Sequence, residues 1–130
     1  MRYALLTYNA PGGREIWAAM TESERQAEEE EYVRLVRAMH DSNAYVEASE
    51  FDPSTGPRTV RVRDGERSVS DGPAVPGEEF LTGYFLIEVE SEDAAIGWAE
   101  KIPNARDGSV EVRRVDEGEL AGRMAAVTAG

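Results

Sequence analysis

The order of strand and helix signals in this 130-residue chain predicts an α+β fold: strand, helix, strand, inserted β-hairpin, strand, helix, strand, with the helices on one side of a split β-α-β sheet. Three stretches carry that prediction. Tyr84-Phe85-Leu86-Ile87-Glu88-Val89 is an apolar run, rich in strand formers and too short for a membrane span, as expected of a central strand covered on both faces. Thr21-Glu22-Ser23-Glu24 has the spacing of a capping box and opens a long segment with apolar residues at helical intervals. Thr59 to Arg63 alternates strictly before Asp64-Gly65, a pair of residues suited to a tight hairpin turn.

The first strand runs from about Arg2 to Tyr8, with Tyr3, Leu5 and Thr7 on one face and Ala4, Leu6 and Tyr8 on the other. Both faces are apolar enough to be covered. Asn9-Ala10-Pro11-Gly12-Gly13 breaks it, and Glu15 to Met20 reads as a short helical turn whose Trp17 closes a core edge. In the long helix that follows, Ala27, Tyr32, Leu35, Val36 and Met39 form the expected buried stripe. Glu28 to Glu31 lie towards the positive end of its dipole, and Arg34 and Arg37 lie later. Four consecutive Glu point around a helix and do not converge on one ion, so the run reads as a solvated face with no metal.

Asp41-Ser42-Asn43 ends that helix, with Asn43 suited to a left-handed cap, and Ala44 to Phe51 is the next strand. After a loop over 52–57 comes the hairpin, whose Arg58, Arg61, Arg63 and Arg67 read either as an anion-binding face or, the favoured reading, as a solvated face paired across the strands to Glu66. Its return strand breaks at Asp71-Gly72-Pro73, where Gly72 is expected at positive φ. A short loop leads to Gly83 and the central strand. Ser91 then caps a second helix with Ala94, Ala95, Trp98, Ala99 and Ile102 on its apolar side. Pro103 stops it, Asn104 to Gly108 reads as a loop, and Ser109 to Val115 is the last strand. From Asp116 to the end, a tail over 116–130 carries a short helix around Glu119 to Val127.

This order matches the ferredoxin-like arrangement. Two substantial helices cover only one sheet face, while the first and central strands are apolar on both. A second copy of the chain is the simplest cover, so a sheet-to-sheet homodimer is expected.

Composition narrows the function. A net charge of −12, from 14 basic and 26 acidic residues, disfavours nucleic acid and anionic membrane surfaces, both of which need basic protein surface. Without cysteine there is no thiolate nucleophile and no Cys-ligated zinc, and nothing marks an oxidising compartment. Met1 to Tyr8 lacks a signal peptide's apolar region and cleavage site, so the expected location is cytoplasmic. No Gly-rich phosphate loop, Ser-centred elbow or metal-spaced His cluster occurs, and no cofactor is expected.

Six segments, in order and spacing, resemble the YCII-related, or DGPF-type, proteins: 3–8, 60–65, Ser70-Asp71-Gly72-Pro73, 83–89, Trp98-Ala99 and 108–113. The resemblance spans residues 1–115. It implies a small bacterial protein of the dimeric α+β barrel type, a class usually without an assigned reaction. The chain departs from the family pattern at Ala74, where a Phe is usual, at Pro76-Gly77-Glu78, and at Thr82, which replaces one of two paired glycines. The wider superfamily is credited with a His and Asp pair in its cleft, the His on the first helix. By position Asp71 matches the acid, and His40 is the chain's one histidine.

Asp71 reads either as a general acid or base at a cleft rim near the first helix or as a turn cap. His40, near a helix C-terminus, reads as a dipole partner or as the second catalytic group. Tyr8 and Tyr84 end and begin strands where a phenol reaches a pocket between sheet and helix, and they serve equally as core aromatics. Three functions fit: a small-molecule enzyme or binder with a cleft near Asp71, whose lyase-like or dehydrohalogenase-like chemistry the superfamily implies; a non-catalytic regulatory module associated with extracytoplasmic-function sigma factors; and a cofactor-free monooxygenase analogue.

Overall fold

The structure, a computed structural model, describes residues 1–129. Strands β1 (Arg2–Asn9), β2 (Tyr45–Glu50), β5 (Phe80–Glu88) and β6 (Ser109–Arg114) form one antiparallel sheet in the order β2-β5-β1-β6, while β3 (Arg58–Arg63) and β4 (Glu66–Asp71) form a separate two-stranded sheet. The helices are α1 (Gly13–Ala19), α2 (Glu22–Asp41), α3 (Glu92–Ala99), α4 (Asn104–Asp107) and α5 (Glu119–Ala129). This is the expected ferredoxin-like α+β arrangement, with the hairpin inserted between β2 and β5.

Local chemistry sets the helix starts as read from sequence. The Thr21 hydroxyl accepts from the Glu24 N–H at 3.1 Å, and the Glu24 carboxylate accepts from the Thr21 N–H at 3.1 Å, completing the capping box. Ser91 Oγ accepts from the Ala94 N–H at 3.1 Å and opens α3. Asn43 adopts φ 58° beyond the end of α2, and Asp64 and Gly65 take φ 52° and 79°, the left-handed pair that a two-residue hairpin turn requires. Gly72 sits at φ 104° as expected, and its N–H donates to the Pro57 carbonyl at 2.9 Å to close the hairpin base.

The core lies between the helices and one sheet face. Tyr3, Leu5, Phe85 and Ile87 from β1 and β5 meet Leu35 and Met39 of α2 and Ala95 and Ala99 of α3. Leu5, Met39, Ile87 and Ile102 are fully buried, and each such side chain contributes about 1.5–3 kcal/mol by leaving water. Tyr32 and Val36 pack against this cluster, but Ala27 is exposed. The stripe therefore begins one turn later than its periodicity predicts.

Trp17 covers no core edge. No residue of α1 is buried, and Trp17 instead lies under the Arg25 guanidinium, 5.5 Å from its ring centre. The same guanidinium donates to the Trp17 and Ala18 carbonyls at 3.1 and 3.0 Å, so a cation satisfies the open C-terminus of α1. Residues 104–107, expected as loop, form the single turn α4, whose first residue Asn104 is buried together with the preceding Ile102 and Pro103.

The arginines of the hairpin do not share a face. Register puts Arg61 and Arg63 on one side, and Arg58 and Arg67 with Val60, Val62 and Val69 on the other. Arg63 stands opposite Glu66, as cross-strand pairing predicts. Val60 and Val62 are 61% and 59% exposed, so the hairpin adds little to the core.

The second sheet face, away from the helices, carries half-buried Ala4, Leu6, Tyr84 and Leu86. An ion pair between Glu111 and Arg113 borders it on β6. The helix α5 contributes no buried residue. No helix among the described residues is long and apolar enough to cross a membrane.

Candidate ligand-binding cleft

Two β-bulges build a cleft between α2 and the sheet. Thr7 pairs with Gly83 and Tyr8 with Leu81, which leaves Thr82 as the extra residue on β5. The bulge turns Thr82 to the same side as Thr7 and Gly83, towards the helices. On β2, Tyr45 pairs with Ile87 and Glu47 with Leu86, so Val46 is the extra residue. Past it the alternation is inverted: Ala48 and Glu50, not Glu47 and Ser49, face the helices opposite Phe85 and Gly83.

Gly83 is required by close approach. A Cβ there would collide with the Ser49 carbonyl oxygen and come within 3.0 Å of Glu50 Cα. The bare backbone lets β2 and β5 close at the cleft's end.

The resulting cavity has a volume of about 190 Å3. Val36, Ala48 and Phe85 form apolar walls, Thr7, Thr82, Asn104 and Tyr32 line the polar floor, and Glu50 stands at the rim. The floor is a single hydrogen-bonded network. The Tyr32 phenol donates to Asn104 Oδ1 at 2.5 Å, and Asn104 Nδ2 donates to Asn9 Oδ1 at 2.8 Å and to Thr82 Oγ1 at 3.4 Å. Thr82 donates to the Thr7 carbonyl at 3.1 Å, and the two threonine hydroxyls lie 2.9 Å apart. With the Thr82 proton committed to that carbonyl, the Thr7 hydroxyl donates to Thr82. Among the described residues no buried side-chain nitrogen or oxygen lacks a partner.

The electrostatics are one-sided. Loss of water raises the Glu50 carboxyl above its ordinary range, and the charges of Glu29 and Glu28 add to the rise. Glu28 is raised as well, first by burial and then by Glu31 and Asp107, against an opposing pull from Arg106. Burial, followed by the charges of Glu28, Glu50 and Glu31, pushes the Tyr32 phenol well above the usual phenol range, so it is a firm proton donor to Asn104. The neighbouring cation, Arg106, is committed to Glu31 by two parallel contacts of 2.8 Å that fasten α4 to α2.

Asp71 and His40 stand outside this cleft. Asp71 ends β4 on the hairpin, its side chain 95% exposed and 3.4 Å from Arg58 Nε, its register partner. It does not reach the rim near the first helix, because the hairpin forms its own sheet instead of extending the main one. His40 is 78% exposed in the last turn of α2, with Asp41 Oδ1 at 4.0 Å as its acidic neighbour. Tyr84 borders the cleft, but its register opposite Leu6 turns its ring to the other sheet face, 6.2 Å from that of Phe51, and Tyr8 is not part of the lining. Glu50, Thr82 and Asn104 escape sequence reading, since bulges and a one-turn helix give them their direction. A Thr in place of a paired glycine was the one visible signal.

A family model described as a YCII-related domain matches residues 1–118. The chain is also 34% identical, over 121 residues, to an uncharacterised protein of Rhizobium meliloti (strain 1021), a match covering 87% of this chain and 90% of that one.

Proposed function

Because this chain belongs to the YCII-related domain family, we propose that it is a small-molecule-binding protein that acts as a homodimer and holds its ligand in the cleft floored by Tyr32, Asn104 and Thr82. The floor carries the reading. Burying polar groups costs free energy unless each is paired, and a fold selected for stability alone would fill this space with apolar side chains. Here two bulges, a glycine without room for a Cβ and a fully satisfied network hold a polar-floored, apolar-walled cavity open.

Binding is favoured over proton transfer because Asp71 and His40 stand outside the cavity and have no contact in common. The cofactor-free monooxygenase reading asks for a deep apolar pocket, and the threonine and asparagine floor argues against it. The homodimer draws support from the apolar face of Ala4, Leu6, Tyr84 and Leu86, only half-buried in the single chain, which a second copy would bury isologously.

The test is an amide chemical-shift screen of a small-metabolite library against the full chain and an Ala48→Leu variant. A ligand of this site moves the Tyr32, Gly83 and Asn104 resonances saturably, and the added side chain in the cavity weakens that binding. Hits that map only to other surfaces would reject the cleft.

A further inference from the structure

Every side-chain donor of the floor is already spent. The Tyr32 proton goes to Asn104, both Asn104 N–H groups go to Asn9 and Thr82, and the two threonine protons are used within the Thr7–Thr82 pair. What remains on the floor is acceptor capacity: a lone pair on the Tyr32 oxygen and a second one on Asn104 Oδ1. At the rim the Glu50 carboxylate is again acceptor only, with Glu28 and Glu29 close enough to repel it. Arg106 is held by Glu31, and Arg25 by the carbonyls at the end of α1. An anionic or acceptor-rich ligand would meet no free side-chain donor on the floor, and Ser49 and Tyr84, which also border the cavity, turn their hydroxyl-bearing side chains to the other sheet face by register. A donor with positive charge would meet acceptors at floor and rim.

Resting on the reading of the cleft as a ligand site, we infer that its ligand is a small organic cation bearing N–H donors, an alkylammonium or a close relative, with its charged end towards Glu50 and its apolar body against Val36, Ala48 and Phe85. A metal ion does not fit, since among the described residues no three His, Asp or Glu side chains converge as a metal requires. The cavity, at about 190 Å3, is smaller than the ~300 Å3 where drug-sized clefts begin, so the ligand is small. A charged rim in partial contact with solvent makes the affinity fall with added salt.

The experiment compares three probes of equal chain length, butylammonium, butanol and butyrate, by amide chemical-shift titration of the full chain at neutral pH. Butylammonium is expected to saturate the Tyr32, Gly83 and Glu50 resonances at about one-tenth the concentration butanol needs, a difference one charge-assisted contact supplies, with butyrate weakest. In Glu50→Gln the ammonium advantage over butanol should disappear while butanol binding is retained. Butanol or butyrate binding as tightly as butylammonium would overturn the cation assignment and leave the cleft as a ligand site. If none of the three moves those resonances, both readings fall.

Discussion

The phenol of Tyr32 donates to the side-chain carbonyl of Asn104 at 2.5 Å, across 72 residues of chain, and so joins the long helix to the one-turn helix before the last strand. Removing the donor in Tyr32→Phe leaves a partly buried carbonyl short of its partner. That should cost about 1–2 kcal/mol in urea unfolding, with the fold retained. An unchanged midpoint would mean that the contact contributes nothing net.

Gly83→Ala should destabilise the sheet. Its Cβ has no room against the Ser49 carbonyl and Glu50 Cα, both backbone groups that yield only if β2 moves away from β5. Overpacking of this kind costs about 1–3 kcal/mol. Thermal melts should show the loss, and amide exchange should concentrate it in β2.

The pH dependence of Glu50 has a definite sign. Its folded carboxyl titrates above the unfolded value of 4.5, so protonation stabilises the fold. That contribution is full below the unfolded pKa and is lost as pH rises through the folded one. Glu50→Gln should therefore be more stable than the parent at neutral pH, by less than about 1 kcal/mol for so exposed a group, and equal to it in acid. A Glu50→Gln variant less stable at pH 7 would show that the carboxylate has a stabilising partner.

Leu86→Arg addresses the homodimer. Leu86 is half-buried on the sheet face opposite the helices, between Ala4 on β1 and Glu47 on β2. A buried, unpaired guanidinium at a self-complementary contact would be placed twice, once from each copy. The parent should scatter light as twice its 14.3 kDa mass and the variant as a monomer. A parent that is monomeric at micromolar concentration would refute the dimer.

Local chemistry made much of the fold legible in advance. The Thr21 capping box, the Ser91 cap, the left-handed Asn43, the Asp64-Gly65 turn and the positive φ of Gly72 all depend on residues within a few positions of one another. So does the alternation that sorts Tyr3, Leu5 and Thr7 from Ala4, Leu6 and Tyr8. The order of such elements was enough for the ferredoxin-like arrangement, because few topologies accommodate it. Trp17 and Ala27 were misjudged for one reason: local sequence marks an apolar residue on a helix, but not whether anything packs against it.

The cleft belongs to the tertiary structure. One extra residue at Val46 inverts every side chain after it on β2 and brings Glu50 over the cavity, and one at Thr82 brings two hydroxyls together across strands 75 residues apart. Both bulges are properties of register between strands distant in sequence, which local sequence does not specify. Asp71, conspicuous in the sequence because it precedes Gly and Pro, went with the hairpin instead, since no ladder binds β3 or β4 to the main sheet. Sequence by itself determined which segments are the strands and the longer helices and where they turn, through interactions a few residues long, but not the one-turn α4. Only the folded sheet decided which carboxylate faces the cavity, because a strand's side chains change face with each residue and register is a long-range choice.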